Sequence, residues 1–454
     1  LFSIFDEERC CAIETGQPGF NPFEDDQLLI ADIDWLAKSP KRTEQAVQAP
    51  WNLLIVDEAH HLEWDPDKPS AKYLLAQALG QRAGGLLLLT ATPQQLGLES
   101  HFARLHLLDP ARFASFAAFK DEIDRYKPVA KLCKKLIDNE SLNIVELEQF
   151  PCSDSLLAKA KRDLAGGKTL GKLTRDKLIR DLADRHGTGR VLFRNTRKTI
   201  RGFPKRLAKL NELPSTNTTT DKDAGQAEFA FDIGLSETEP SHDYDNDDRI
   251  EWLIKLLQKN AAEKILLICC SKAKVIAIEA AVRNRANLKI GIFHEDLTLI
   301  QRDRNAAWFA EEDGARLLIC SEIGSEGRNF QFCRHLVLFD IPLNPELIEQ
   351  RIGRLDRIGQ KDDIQIHVPF SKSSNRAILA NWLHRGLNAF EECILSGENL
   401  LNKFGERLHH CFHETASSLS QLIKDTDESR KRLSINLQEG TDRLLEINSH
   451  SSAI

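Results

Sequence analysis

The chain has 454 residues, 41% of them hydrophobic and 28% charged, which describes a soluble globular polypeptide of about two to four domains. A net charge of −7 argues against a broadly basic polyanion-coating protein, so any nucleic-acid surface must be a local basic stripe. No apolar stretch approaches the roughly 18 residues of a membrane helix, and no membrane partner is expected.

Residues 1–115 alternate strand-like and helix-like pieces. QLLIADIDWL (27–36), WNLLIVDEAH (51–60) and GLLLLTATP (85–93) are each apolar and then turn polar, the pattern of short core strands in a parallel sheet. Residues 116–210 are rich in Lys, Leu, Ala, Asp and Glu and read as a helical insert. Residues 211–248 read as a linker or acidic insert: LPSTNTTTDKDAGQ is polar with turn formers, and ETEPSHDYDNDD carries only acidic charges, as a solvated loop does. Alternation resumes over 249–375, where KILLICC, KIGIFHE, ARLLICSE, RHLVLFDIP and DIQIHVPF are strands of a second sheet. Residues 376–454 read as a helical C-terminal extension. The ten cysteines are scattered with no CxxC, and several sit in aliphatic runs, so reduced thiols in a cytosolic setting are expected.

Four clusters carry chemistry. Asp57-Glu58-Ala59-His60 follows the aliphatic run Leu53-Leu54-Ile55-Val56, and polar groups at the carboxyl end of a strand in an α/β sheet are where ligands sit. A nucleotide hydrolase needs one carboxylate for Mg²⁺ and one to orient or deprotonate water; acidic residues opening a helix give the same string. Thr90-Ala91-Thr92-Pro93 follows another such run, where its hydroxyls can bond the carboxylates, although the string is also an ordinary turn. In EQRIGRLDRIGQ (349–360), Gln350, Arg354 and Arg357 fall at i, i+4 and i+7, on one face if the stretch is helical. Gly353 then keeps that helix open and Gly359 ends it. Two guanidiniums on one face suit a triphosphate. In CSEIGSEGRNFQFCRHLVLFDIPLNP (320–345), a Gly-containing loop with Arg328 and Asn329 can contact phosphates.

DEAH, TATP, SEIGSEGRNF and QRIGRLDRIGQ in this order resemble the superfamily 2 helicase-like ATPases of the Swi2/Snf2 type. ESHFARLHLLDPARF, DRHGTGRVLFRNTRK, AAWFAEEDGA and SEIGSEGRNFQF are similar to the bacterial RNA polymerase-associated branch of that type, over nearly the whole chain. The resemblance implies two RecA-like parallel-sheet lobes, with ATP between Glu58 on one side and Arg354 and Arg357 on the other. It implies Asp57 for Mg²⁺, Glu58 for water activation and His60 for coupling nucleotide to the cleft. Thr90 and Thr92 match motif III, Gly327 and Asn329 match motif V, and Gln350, Arg354 and Arg357 match motif VI. The implied activity is that of an ATP- and Mg²⁺-dependent DNA translocase that recycles RNA polymerase, holding nucleic acid by its backbone. A monomer in the bacterial cytoplasm, associated with the nucleoid, is expected.

One departure stands out. No GxxxxGK[ST] phosphate loop precedes residue 57, and AGGKT (165–169) has Arg162 where the first glycine belongs. The sequence also contains no methionine. The chain is therefore expected to be a fragment, inactive alone; the alternative is a catalytically inactive module that binds nucleic acid or polymerase. Two smaller features stay open. His409 and His413 share a face if HHCFH is helical, and the basic run 194–209, with Arg194, Arg197, Lys198, Arg201, Lys205 and Arg206, can touch phosphates or dock on the acidic run.

Overall fold

The computed structural model describes residues 2–90, 97–137, 147, 154–165, 170–186, 203–214, 219–322, 328–357, 359–372, 374–393, 397–413 and 416–439. The chain divides into two compact units, Leu1–Asn195 with Asn436–Ile454, and Thr196–Ile435. Both are built from parallel strands and helices, an α/β fold.

The first unit carries four three-residue strands, β1 (Ser3–Phe5), β2 (Leu29–Ala31), β3 (Leu54–Val56) and β4 (Leu86–Leu88). β1 pairs with β2 and β3 with β4, both in parallel. The strand expected over 27–36 is cut short because Asp32 accepts a hydrogen bond from the amide of Trp35 at 2.8 Å and starts the helix Ile33–Lys38. Strand alternation sends Phe5, Leu29, Ala31 and Leu54 into a core with Cys10, Phe23, Leu36, Leu75 and Leu79. Val56 and Leu88 pack with Ala59, Tyr73 and Ala76. The opposite face is bare: the cross-strand pairs Ile4–Ile30 and Ile55–Leu87 are between 43% and 65% exposed. Parallel strands are ordinarily covered on both faces. The helices Phe116–Ile137, Asp154–Ala165 and Lys172–His186 form a small core of their own around Leu132, Leu136, Leu178 and Leu182.

The second unit is organised by one six-stranded, all-parallel sheet. Its strands are β5 (Arg206–Leu213), β6 (Ile265–Cys269), β7 (Ile290–Phe293), β8 (Leu317–Ser321), β9 (His335–Leu338) and β10 (Ile364–Ser371), in the order β5-β10-β9-β6-β8-β7. Every residue of β6, β8 and β9 is buried, which is why these strands read as continuous apolar runs.

Three expectations are corrected here. Residues 206–213, placed by sequence in the helical insert and the linker, are the eight-residue edge strand β5, in register with β10 from Arg206↔Ile364 to Leu213↔Ser371. Their pattern is weak because an edge strand buries only part of its length. Likewise 219–232, within the expected linker, is a helix whose Phe229 joins the sheet's core. The acidic run is partly buried rather than solvated: Tyr244 stands edge-on to Phe339 at 5.2 Å between ring centres, and Asp247 caps the helix Asp248–Lys259. The helices after residue 375 pack on the same sheet, with Trp382, Leu400, Phe404, Leu408 and Leu422 in one core with Ile364, Ile366 and Val368. No described helix is long and apolar enough to cross a membrane.

Where the start of β9 meets the middle of β10, the buried imidazoles of His335 and His367 lie 3.0 Å apart, Nδ1 to Nε2. His335 Nε2 bonds the carboxylate of Glu263, so the neutral pair is satisfied when His367 Nε2–H donates to His335 Nδ1. Burial, together with the charge of His335, holds His367 down at about 3.

Two predictions follow from this packing. The unfolded chain binds a proton at His367 near the ordinary histidine value of 6.5, whereas the folded chain binds it only near 3. This stability is therefore fully present above about pH 6.5 and is lost as pH falls below it. In thermal melts at pH 7 and pH 5, His367→Gln will lose less melting temperature between the two than the parent does. Replacing the bare pairs with Ile30→Ser and Ile55→Ser will reduce binding of a hydrophobic dye by the native chain. It will change unfolding free energy by no more than about 0.5 kcal/mol, as surface exchanges do.

Candidate active site

In the first unit, β3 runs directly into Asp57 and Glu58. The ladder continues past the strands: the Leu89 amide donates to the Val56 carbonyl at 2.9 Å, and the Ala59 amide donates to Leu89 at 2.8 Å. This pins DEAH against the end of β4. Glu58 takes a left-handed conformation, φ 47°, which a non-glycine residue adopts at a cost of order 1–3 kcal/mol and which is concentrated at functional sites. The Asp57 Oδ1 accepts from the Glu58 amide at 2.9 Å. Glu58 then opens a tight turn, Ala59–His61, rather than an α-helix.

The turn buries His60 and leaves both carboxylates exposed. His60 Nδ1 lies 3.2 Å from Glu58 Oε2 and 3.4 Å from the hydroxyl of Thr90, at the end of β4. The hydrogen bond from His60, reinforced by the charges of His60 and His61, holds the Glu58 carboxyl below the usual glutamate range. Glu58 is thus ionised at neutral pH and fit to accept a proton or orient water. Asp57 is a hard oxygen donor open to solvent, which fits Mg²⁺, an ion that keeps most of its own waters. Asp57, Glu58, His60 and Thr90 are brought together; Thr92 lies outside the described residues.

In the second unit the arginine motif departs from expectation. The helix Pro345–Ile352 ends before Gly353, so Gln350, Arg354 and Arg357 do not share one helix. A Cβ at residue 353 would meet the Glu349 carbonyl at 3.1 Å, so glycine admits the tight close of the helix. Arg354 and Arg357 sit in the turn beyond, and Gly359 turns the chain back at φ 102°. That turn is fastened to the loop after β8. The Phe330 amide donates to the Arg354 carbonyl at 2.8 Å, and the Gln360 side chain donates to the Cys333 carbonyl at 2.9 Å. Asn329, next to Phe330, and Arg354 are therefore neighbours along the backbone contact. Gln350, Asn329 and Arg357 are exposed; Gly327 lies outside the described residues.

Three family models match. The SNF2-related domain covers residues 10–187, the helicase conserved C-terminal domain 248–359, and the RNA polymerase recycling family C-terminal region 363–454. The RNA polymerase-associated protein RapA of Vibrio campbellii is 44% identical over 99% of this chain and 48% of its own length. Those of Vibrio cholerae and Photobacterium profundum are also 44% identical over 99% of the chain, covering 48% and 49% of their lengths. The chain is similar to the RapA proteins over nearly its whole length. It spans about half the length of these RapA relatives. Among solved structures, the Sulfolobus solfataricus SWI2/SNF2 ATPase core in complex with dsDNA is 15% identical over 90% of this chain and 80% of that one, with a TM-score of 0.33.

The site includes residues that the sequence motifs did not single out. Arg351, inside the arginine motif, is buried and bridges two strand ends: Nη1 donates to Asp340 Oδ1 at 2.9 Å, and Nε donates to Glu322 at 2.9 Å. Asp340 also accepts from Lys274 at 3.0 Å and from the Cys270 amide at 2.9 Å. Burial works against the Asp340 charge, yet Lys274 and Arg351 hold it well below the carboxylate range. Asp232, Cys270 and Asp340 have the spacing of a metal cluster, but the Lys274 ammonium already bonds both carboxylates and supplies the positive charge. The legible signal for Asp340 was its place at the end of an apolar run; nothing local marks Lys274. The expected shared face of His409 and His413 is not formed, because the helix Gly397–Cys411 ends before His413.

Lys274 also contacts Glu228 at 3.1 Å, so removing it takes the shared ammonium from three buried carboxylates and leaves them to their arginine partners. Lys274→Met will lower unfolding free energy by about 3–5 kcal/mol at pH 7. Denaturant titration will show the loss shrinking at acid pH as one carboxyl protonates.

Proposed function

We propose that this chain carries the hydrolytic carboxylates and the phosphate-binding arginines of an ATP-dependent, Snf2-type nucleic-acid translocase. Asp57 holds Mg²⁺, directly or through water, and the ionised Glu58 orients the attacking water. His60 and Thr90 tie the Glu58 carboxylate to the end of β4, and Thr92, Gly327, Asn329 and Gln350 contribute to nucleotide contacts. Arg354 and Arg357 supply positive charge for a phosphate group, where charge on the transferring phosphoryl group must be stabilised. The observation that carries this reading is the strand-end cluster of two open carboxylates, one in a left-handed conformation against a buried histidine. An acidic helix start, the bland alternative, would have neither feature.

The relatives' name supports RNA polymerase as partner, and hence recycling or remodelling of polymerase on DNA, with backbone contacts to nucleic acid, in the cytoplasm. Hydrolysis requires a phosphate-binding loop, and the chain has no GxxxxGK[ST] ahead of Asp57. The activity is accordingly assigned to the full-length protein, and the 454-residue chain alone is expected to bind ATP weakly and turn it over little or not at all.

In the full-length protein, Glu58→Gln and Arg354→Ala will each lower ATP turnover by about 10³-fold while retaining nucleotide binding. Phosphate release with and without DNA is the measurement. Near-normal turnover in both variants would remove the site assignment.

A further inference from the structure

We propose that Arg206 is a positioning residue for Arg354 and Arg357. It begins β5, at the edge of the six-stranded sheet, and only 7% of it is exposed. All three guanidinium nitrogens are engaged within the arginine motif. Nη1 and Nη2 donate to the two carboxylate oxygens of Glu349 at 2.8 and 3.0 Å, and Nε donates to Asp356 Oδ2 at 2.6 Å. Glu349 lies in the helix Pro345–Ile352, and Asp356 lies in the turn between Arg354 and Arg357. One planar guanidinium therefore spans the helix end and the turn, and fixes the angle at which the second leaves the first.

The turn needs such a clamp. Arg354 and Arg357 stand outside the helix, so no regular helical ladder sets their backbone. Phe330 and Cys333 hold the turn from the loop after β8. Arg206 holds it from the sheet edge. The far end of the same segment is fastened to the same place: the Ile364 amide donates to the Lys205 carbonyl at 2.8 Å, and the Lys205 amide donates to Asp363 at 3.0 Å. The segment 349–364 is thus closed at both ends on Lys205 and Arg206. The clamp has an electrostatic side as well. Glu349 precedes the two arginines and Asp356 lies between them, and both would compete with a phosphate for them. Arg206 bonds both carboxylates and offsets their charge. Lysine, a single point charge, cannot span both carboxylates in this way.

This inference rests on the reading of Arg354 and Arg357 as phosphate-facing groups. It is tested in the full-length protein by ATP turnover, the apparent KM for ATP and thermal melts. Arg206→Lys is expected to lower kcat about tenfold, with KM within about twofold of the parent and the fold retained, because a small misplacement of a charged group lowers rate more than binding. Placed in an Arg354→Ala background, the same exchange is expected to change the residual turnover by less than about twofold, because residues acting through one another are not additive. Wild-type kcat in Arg206→Lys, or an equal fold loss in both backgrounds, overturns the proposal. Should Arg206→Lys fail to fold, the uncharged set Arg206→Gln, Glu349→Gln and Asp356→Asn replaces it, with a tenfold loss of kcat supporting the clamp and wild-type kcat overturning it. Full turnover in Arg354→Ala alone removes the functional reading and the inference with it; loss there beside wild-type kcat in Arg206→Lys removes the inference only.

Discussion

The second unit depends on one buried charge arrangement, the Asp340 carboxylate held between the Lys274 ammonium and the Arg351 guanidinium. Asp340 ends the run of β9, Lys274 sits in the first turn of the helix after β6, and Arg351 belongs to the helix that precedes the arginine turn. Each charge is too deep in the protein to be hydrated, so each is tolerable only while the others stay in place. The strand ends, the helix starts and the arginine motif are consequently set relative to one another by electrostatics as well as by packing. Arg351 extends this setting to Glu322 at the end of β8, where the glycine-containing loop begins.

Outside that centre, function is assigned to parts with less regular backbone. Glu58 leaves β3 in a left-handed conformation, and the arginines occupy a turn after a helix that stops at Ile352. Neither conformation is what an isolated peptide would choose. Both are imposed by neighbours: the β4 end and His60 for Glu58, and Phe330, Cys333 and Arg206 for the arginine turn. The two clusters therefore share a construction, in which rigid parallel strands stop and short irregular segments held from both sides present the charges.

The first unit has a different balance. Its strands are three residues long, and one face of each two-stranded ladder is open although its residues are Ile and Leu. The inward faces are well packed by helices whose starts are capped by Asp6, Asp32 and Ser70. A local core thus forms from one side of the strands only, while DEAH and Thr90 keep their contacts at the strand ends.

The α/β class, the five apolar strands of the second sheet and the strand-end placement of Asp57, Glu58 and Thr90 were legible from sequence. Each rests on a short-range signal: a run of aliphatic residues, buried on both faces in β6, β8 and β9, followed at once by polar groups that a core would reject. β5 was not legible, because an edge strand half in contact with solvent has a mixed pattern; RLAKLNEL reads as easily as the end of a helix. The end of the helix at Ile352 was hidden too, since the 3.6-residue period of Gln350, Arg354 and Arg357 satisfies a helix whether or not one continues. The pairing of Arg206 with Glu349 and Asp356, across 143 and 150 positions, has no trace in local pattern at all. Sequence alone determined which residues carry charge and which strands are buried, because those depend on neighbours a few positions away. Only the tertiary structure decided which charges meet, because partners so far apart in the chain are chosen by the order of strands in the sheet.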